Sequence, residues 1–367
     1  MAFRLGAIIP TLTDGTSFYR AAGPLQALEL ARPEFRMESG GVINWVYLRG
    51  VSAVFLQRPF TPDHVRIVSM AKLHGKPVWV DYDDDLFTVP MSNPTHKVYS
   101  DKQNHNQIMT ILTQADVVSV STEALAEKFR KILAQIESAG ERNQGVPYQN
   151  LNPDKIVVVP NAYDEQLHRY SFKHWQEPVG HATMTVMWRG SHTHDADLAM
   201  YEKAITNAFV KHGKLWTLNF VGSPFWQSIQ NMEAAGIPPS QLVVTQVLDV
   251  IEYMQFIHTV KPAVMIVPLV DDLFNRAKSN IAWIEATHAG AMTLAPDWPE
   301  WRRPGVINYK DQEDFEIQLS VILRGDADRN TRVQASRDYI AEHLTLTAQN
   351  EQRIKIMERL SSVEVWA

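Results

Sequence analysis

The stretch VMIVPLVDDLFNRAKSNIAWIEATHAG, residues 264–290, decides how the chain is read. Val264–Pro268 is an apolar, partly β-branched run that stops at a proline, the pattern of a strand buried on both faces. Lys278–Ala289 then has the length and composition of a helix, and Gly290 ends it. Met292–Ala295 is another short apolar run. Strand, helix and strand in that order make a parallel pair with a crossover, the unit of an α/β sheet.

The same alternation extends in both directions. Downstream, Asp311–Leu323, Arg329–His343 and Ala348–Leu360 are helical in pattern. Upstream, strands are expected at Met184–Trp188, Thr217–Val221 and Leu242–Thr245. Helices are expected at Asp195–His212, Pro224–Ala235 and Glu252–Val260. A polar, aperiodic break at Asp164–Thr183 precedes this set. Before the break, strands Leu5–Ile9, Ala53–Gln57, Val78–Asp81, Val117–Val120 and Ile156–Val159 alternate with helices Tyr19–Ala31, Pro62–Leu73, Asn104–Ala115 and Glu123–Glu137. Ser138–Asp154 reads as a loop. The chain therefore holds two parallel-sheet lobes in tandem, as its 367 residues allow.

Composition narrows the function. Hydrophobic residues make up 45% of the chain and charged residues 21%, enough for two cores. The formal net charge of −6 argues against a protein that grips a nucleic-acid backbone along its whole surface. The chain has no cysteine, which excludes disulfides, zinc–thiolate sites and thiol nucleophiles. The first residues form a short apolar run ending at Pro10, without a signal-peptide core, and no run reaches the length of a membrane span. A cytoplasmic protein without an integral membrane segment is the expectation.

Ligands of open parallel sheets bind beyond the carboxyl ends of the strands. Four segments in such positions carry chemistry. After Val264–Pro268, Arg276 and Lys278 bring positive charge to the start of a helix beginning near Lys278 or Ser279. Free backbone N–H groups there attract phosphate. Glu285, about two turns along, suits the paired hydroxyls of a ribose. After Met184–Trp188, Arg189 can take a diphosphate by paired hydrogen bonds, and Gly190 and Ser191 form a turn that lets the backbone approach a ligand. Gly222 ends the next strand in the same way. His192 and His194 could share a metal, but no third ligand lies nearby.

In the first lobe, Asp81-Tyr82-Asp83-Asp84-Asp85 follows a strand core. Three readings stay open for these carboxylates: contact with an acceptor or a base for its hydroxyl, a divalent-cation site, or caps at a helix start. Thr13-Asp14-Gly15-Thr16-Ser17-Phe18-Tyr19-Arg20 follows the first strand. Gly15 permits a tight turn there, and Arg20 is either a cleft cation or a surface residue. Trp298 and Trp301 are candidates for stacking on a base or sugar, or for core packing.

From Asn275 to Gly290 the chain resembles the donor-binding helix of the GT-B glycosyltransferases, in particular the retaining group known as family 4. Asn275, Lys278 and Ser279 match an Asn-x-x-Lys-Ser variant of that segment. Val157-Val158-Val159-Pro160-Asn161-Ala162 resembles the end of the group's first lobe, and Lys76–Phe87 resembles a block in bacterial and phage glycosyltransferase-like proteins. The resemblance implies two Rossmann-like domains facing each other across a cleft. It divides the chain into an acceptor-side domain at 1–165, a linker at 166–182, a donor domain at 183–345 and a closing helix at 346–367 that crosses back. It implies transfer of a hexose, with retention, from a nucleotide sugar, UDP-sugar favoured. It implies no bound cofactor and no metal.

In that framework Arg189, Lys278 and Asp84 are the catalytic candidates. Gly15, Gly190, Ser191, Gly222, Ser279, Asn280 and Glu285 are the donor-binding candidates. Tyr19, Arg20, Asp83 and Asp85 face the acceptor. Position 277 is Ala where the group often has a glutamate near the transferred sugar, and Lys is missing shortly after Arg189. Lys278 is read as replacing that charge. The acceptor is read as a glycan or lipid-linked hydroxyl. The alternatives are hydroxymethylated bases in DNA, for which Arg49, Arg58 and Arg66 would form a basic face, and a non-catalytic nucleotide-sugar-binding protein.

Overall fold

A computed structural model describes residues 3–11, 14–39, 45–138 and 149–362. The first sheet is built from β1 (Phe3–Ile8), β2 (Phe35–Ser39), β3 (Ala53–Gln57), β4 (Val78–Tyr82), β5 (Val117–Val120) and β6 (Ile156–Val158). The second is built from β7 (Thr183–Gly190), β8 (Thr217–Gly222), β9 (Leu242–Thr245), β10 (Pro262–Ile266), β11 (Met292–Pro296) and β12 (Ile307–Tyr309). Every pairing is parallel.

The strand orders are β2-β1-β3-β4-β5-β6 and β12-β11-β10-β7-β8-β9. In the first sheet the path reverses between β1 and β3. In the second it reverses between β7 and β10. At such a reversal the loops on neighbouring strands leave in opposite directions and open a crevice. The segments following β1, β3, β7 and β10 therefore occupy the places where a ligand can enter.

Strand alternation divides each core into two layers. Val54 and Leu56 pack with Val80 and Val118 on one face of the first sheet, whereas Ala53 and Phe55 pack with Trp79 and Val117 on the other. In the second sheet Val186 and Trp188 face Leu198 and Phe209, while Met187 faces the layer containing Trp283. The long helix Leu346–Ser361 puts Ile354, Met357 and Leu360 into the layer with Leu5 and Phe55, so the end of the described chain packs on the first lobe. The buried Glu165 carboxylate holds this helix at its start, accepting from Leu346 N at 2.9 Å and Thr347 N at 3.1 Å.

Several expectations need correction. β2 and β12 were not expected; both are edge strands, short and without a clean apolar pattern. The helical stretch after β1 starts at Gly15, before the expected Tyr19, and contains a π-turn over Phe18–Ala22. The donor-side helix starts at Ile281, so Lys278 and Ser279 lie in the loop before it. Thr13 and most of the Ser138–Asp154 loop lie outside the described residues, as do the last five residues of the closing segment. Among the described residues, no helix is long and apolar enough to cross a membrane.

Candidate functional site

A cleft of about 800 Å³ runs between the lobes. Its walls come from the ends of β1, β3, β4, β7 and β10, which are the positions favoured by the two reversals. Side-chain hydrogen bonds cross from lobe to lobe along it, Tyr19 Oη to Glu285 Oε1 at 3.2 Å among them. Thr122 Oγ1 donates to Ala277 O at 2.8 Å, and Asn161 Nδ2 donates to Ser279 Oγ at 2.8 Å.

On the second-lobe wall, β7 delivers Arg189. Its Nε lies 2.9 Å from Glu285 Oε2, yet the buried Nε–H has no aligned hydrogen-bond acceptor. The Arg189 side chain keeps 30% of its exposure, whereas Glu285 keeps 5%. Glu285 also accepts from Tyr19 Oη at 3.2 Å and from Tyr253 Oη at 3.4 Å. Burial pushes the Glu285 carboxyl above its usual range, and Arg189 and the two tyrosines oppose that rise.

Lys278 is held differently. Asp197 accepts at Oδ1 from Val270 N and Asn275 Nδ2, each at 2.8 Å, and at Oδ2 meets His194 Nδ1 at 2.8 Å. Burial, followed by the Lys278 charge, lowers the His194 pKa to about 4, so the ring is neutral near pH 7. With Nδ1–H donating to Asp197, Nε2 is left as an acceptor 3.4 Å from Lys278 Nζ. Burial also lowers the Lys278 pKa, against the pull of Asp84 and Asp197. Next to Lys278, helix Ile281–Ala289 begins without a side-chain cap, and Ile281 and Ala282 line the cleft. Trp283 N is satisfied by Asn280 O at 2.9 Å, which leaves the N–H groups of Ile281 and Ala282, at the cleft wall near the two cations, as the open ones of this helix start.

On the first-lobe wall, Arg58 Nη2 lies 2.7 Å from each oxygen of Asp83 and 3.0 Å from Asp84 Oδ2. The Arg58 backbone has φ 48°, a left-handed conformation uncommon for a side chain of this size. Burial raises the Asp84 pKa, with Asp83 adding to the rise and Arg58 and Lys278 opposing it.

Of the fourteen catalytic, donor-binding and acceptor-side candidates, ten line this one cleft: Gly15, Tyr19, Arg20, Asp83, Asp84, Arg189, Ser191, Lys278, Ser279 and Glu285. The other four do not. Gly190 and Gly222 are where neighbouring strand ends meet; a Cβ on Gly222 would stand 2.2 Å from Gly190 O, and one on Gly190 would strike the Trp188 ring at 2.6 Å. These glycines permit backbone contact between strands. Asn280 is buried and donates to Glu300 O at 3.2 Å. Asp85 is buried and accepts from Phe87 N at 3.1 Å and Thr88 Oγ1 at 2.7 Å, so it is a turn cap rather than an acceptor contact.

Arg20 reaches the cleft wall but is not available to a ligand. It is 2% exposed, clasps Asp81 at 2.7 and 3.0 Å, and gives its remaining nitrogen to Val159 O and Asn161 Oδ1. Arg276 is largely exposed and paired with Asp271, so it adds no charge to the cleft. Trp298 and Trp301 are both buried core residues; Trp301 lies against the cleft wall, and Trp298 has Arg276 over its ring. The expected basic face does not form from Arg58 and Arg66, because Asp83 and Asp84 hold the first and Asp63 holds the second. Among the described residues, no three His, Asp or Glu side chains gather to hold a metal ion.

Sequence reasoning missed Tyr253 and the Asp197–His194 support of Lys278. Tyr253 lies on a helix whose pattern only announces an apolar face, and no local signal marks it.

No protein-family model matches the chain, and no curated sequence does. Solved structures do resemble it. HepE of Anabaena, in complex with UDP and glucose, matches with a TM-score of 0.63 at 10% sequence identity, covering 98% of this chain and 100% of that one. The UDP-forming α,α-trehalose-phosphate synthase of Burkholderia vietnamiensis gives 0.58 at 10% identity, over 84% of this chain and 75% of its own. The pneumococcal O-GlcNAc transferase GtfA, in complex with UDP and GlcNAc, gives 0.57 at 13% identity, over 86% of this chain and 59% of its own. At these identities the likeness shows the fold, which is GT-B: two Rossmann-like lobes facing each other across a cleft.

Proposed function

We propose that the chain is a glycosyltransferase that moves a hexose from a UDP-sugar to an acceptor hydroxyl, with retention at the anomeric carbon. The observation that carries this reading is the convergence of Arg189, Lys278, Glu285 and an uncapped helix start on one interlobe cleft. The similar structures solved with UDP, HepE and GtfA, lend support as analogues.

In this reading Glu285 accepts hydrogen bonds from the ribose hydroxyls. To do so it must exchange its contacts with Arg189 and the two tyrosines for contacts with the nucleotide. Arg189, released, turns to the diphosphate, where Lys278 and the helix N–H groups already point. The bond from the sugar C1 to the diphosphate oxygen breaks, and its electron pair stays on UDP. The acceptor oxygen bonds to C1 on the same face, and its proton passes to the departing phosphate oxygen. Asp84 orients the acceptor by accepting a hydrogen bond from a neighbouring hydroxyl of the same molecule, which leaves the attacking hydroxyl's proton to the phosphate oxygen. Negative charge grows on the diphosphate as the bond opens, so cations fixed in advance stabilise the transition state more than the ground state.

Thermal-shift measurements with nucleoside diphosphates and their sugars test the reading, followed by assay of UDP release. Stabilisation by UDP and UDP-sugars together with UDP release is expected. No stabilisation by any nucleoside diphosphate or its sugar would overturn the proposal. Stabilisation with no turnover on any acceptor or water would point to a binding protein instead.

A further inference from the structure

We infer that the acceptor is uncharged where it meets the protein, a neutral sugar or polyol hydroxyl rather than a phosphorylated sugar or DNA, and that Arg58 sets this selectivity. The inference rests on the glycosyltransferase reading of the cleft and specifies its second substrate.

The argument is one of available charge. Four arginines and lysines line the cleft: Arg20, Arg58, Arg189 and Lys278. Arg20 is saturated by Asp81, Val159 O and Asn161. Arg189 faces Glu285 on the donor wall. Lys278, also on the donor wall, is the one cleft cation among the described residues with no carboxylate within 4.0 Å. With Arg189 and Lys278 assigned to the donor diphosphate in the reading above, Arg58 is the cleft cation among the described residues that remains for an acceptor phosphate, and Asp83 and Asp84 already occupy it.

This occupation is built into the backbone. Arg58 N donates to Asp81 O at 2.8 Å, which fixes the left-handed residue at the end of β3 and aims the guanidinium at the aspartates. Strained conformations of this kind persist only where the surroundings over-determine them. The acceptor wall thus presents two carboxylates against a single bound cation. A phosphate arriving there meets like charge, whereas a sugar hydroxyl finds an acceptor for its proton. Tyr99, packed edge-on against Phe60 with centroids 5.0 Å apart, adds a half-buried aromatic ring suited to the apolar face of a pyranose.

The test measures transfer from UDP-glucose to a panel of neutral mono- and disaccharides, their phosphate esters, and hydroxymethylcytosine-containing DNA. Slowing of UDP-glucose hydrolysis is read as a second signal of acceptor-site binding. The wild-type protein should favour a neutral sugar over its phosphate by at least roughly tenfold in kcat/KM or in inhibition constant. Asp83→Asn, which leaves Arg58 with only Asp84, should shrink that ratio several-fold or reverse it, while Asp83→Glu should keep it. Equal or better use of phosphate esters or DNA by the wild type would overturn the inference. So would a ratio unmoved by Asp83→Asn, or failure of every neutral sugar both to accept glucose and to slow hydrolysis. Binding and hydrolysis of the donor, measured without acceptor, decide the underlying reading separately.

Discussion

Two arginine–carboxylate pairs sit within the same cleft walls and are built to opposite ends. Arg20 and Asp81 are each about 2% exposed, meet through two aligned hydrogen bonds, and spend their remaining capacity on Val159 O, Asn161 and Ser119. Arg189 and Glu285 lie 2.9 Å apart, but the Arg189 Nε–H is not aligned and its side chain is 30% exposed. The first pair is closed to any newcomer. The second keeps an unaligned N–H and an exposed face, which leaves it open to a ligand, as the proposed exchange requires. Pairing alone therefore says little about purpose; the degree of saturation separates a structural tie from an exchangeable site.

The comparison breaks most visibly on removing the cation. Arg20→Ala leaves the Asp81 carboxylate buried beside Ser119 without its counter-charge, and should destabilise the fold by about 3–5 kcal/mol. Chemical denaturation measures this; a loss below about 1 kcal/mol would erase the distinction. Arg189→Ala should change stability far less, because Glu285 can take up a proton, but should lower kcat/KM roughly a hundredfold, about 3 kcal/mol of transition-state stabilisation. Retention of full activity would remove Arg189 from the site.

Glu285→Gln is a milder probe. It keeps the shape and one acceptor oxygen, so UDP-glucose affinity should fall about tenfold by calorimetry. The same carboxylate gives a pH signature. Burial raises its pKa above the ordinary glutamate value, so the ionised form that accepts two ribose hydroxyls is complete only above that raised value. Affinity should fall as acidification carries the pH down through that raised value, and Glu285→Gln should flatten the dependence. A steep acid limb persisting in the variant would assign it to another group. The smallest effect is expected from EDTA, which should leave turnover unchanged. Loss of turnover restored by Mn²⁺ would return Asp83 and Asp84 to the role of metal ligands.

The fold was legible where the chemistry is local. The apolar cores at residues 78–80 and 264–266 declare β4 and β10, and the segments that follow them carry Asp83, Asp84, Lys278 and Ser279. β2 did not declare itself because Arg36 and Glu38 interrupt its apolar residues, and β12 because three residues are too few to show a period. Site residues from one loop were legible together. What could not be read was contact made across the chain. Asp81 claims Arg20 from 61 positions away, and Tyr19 reaches Glu285 from 266 away. Whether an arginine is free or saturated depends on such meetings, so the choice between cleft cation and surface residue for Arg20 could be made only by the fold.

A crystal structure of the protein with UDP bound tests the exchange of partners at Glu285 most directly. Glu285 is expected on the ribose hydroxyls, with Arg189 swung away from it to join Lys278 on the diphosphate. UDP bound elsewhere, or seated in the cleft with the Arg189–Glu285 pair still intact, would contradict the assignment of both residues.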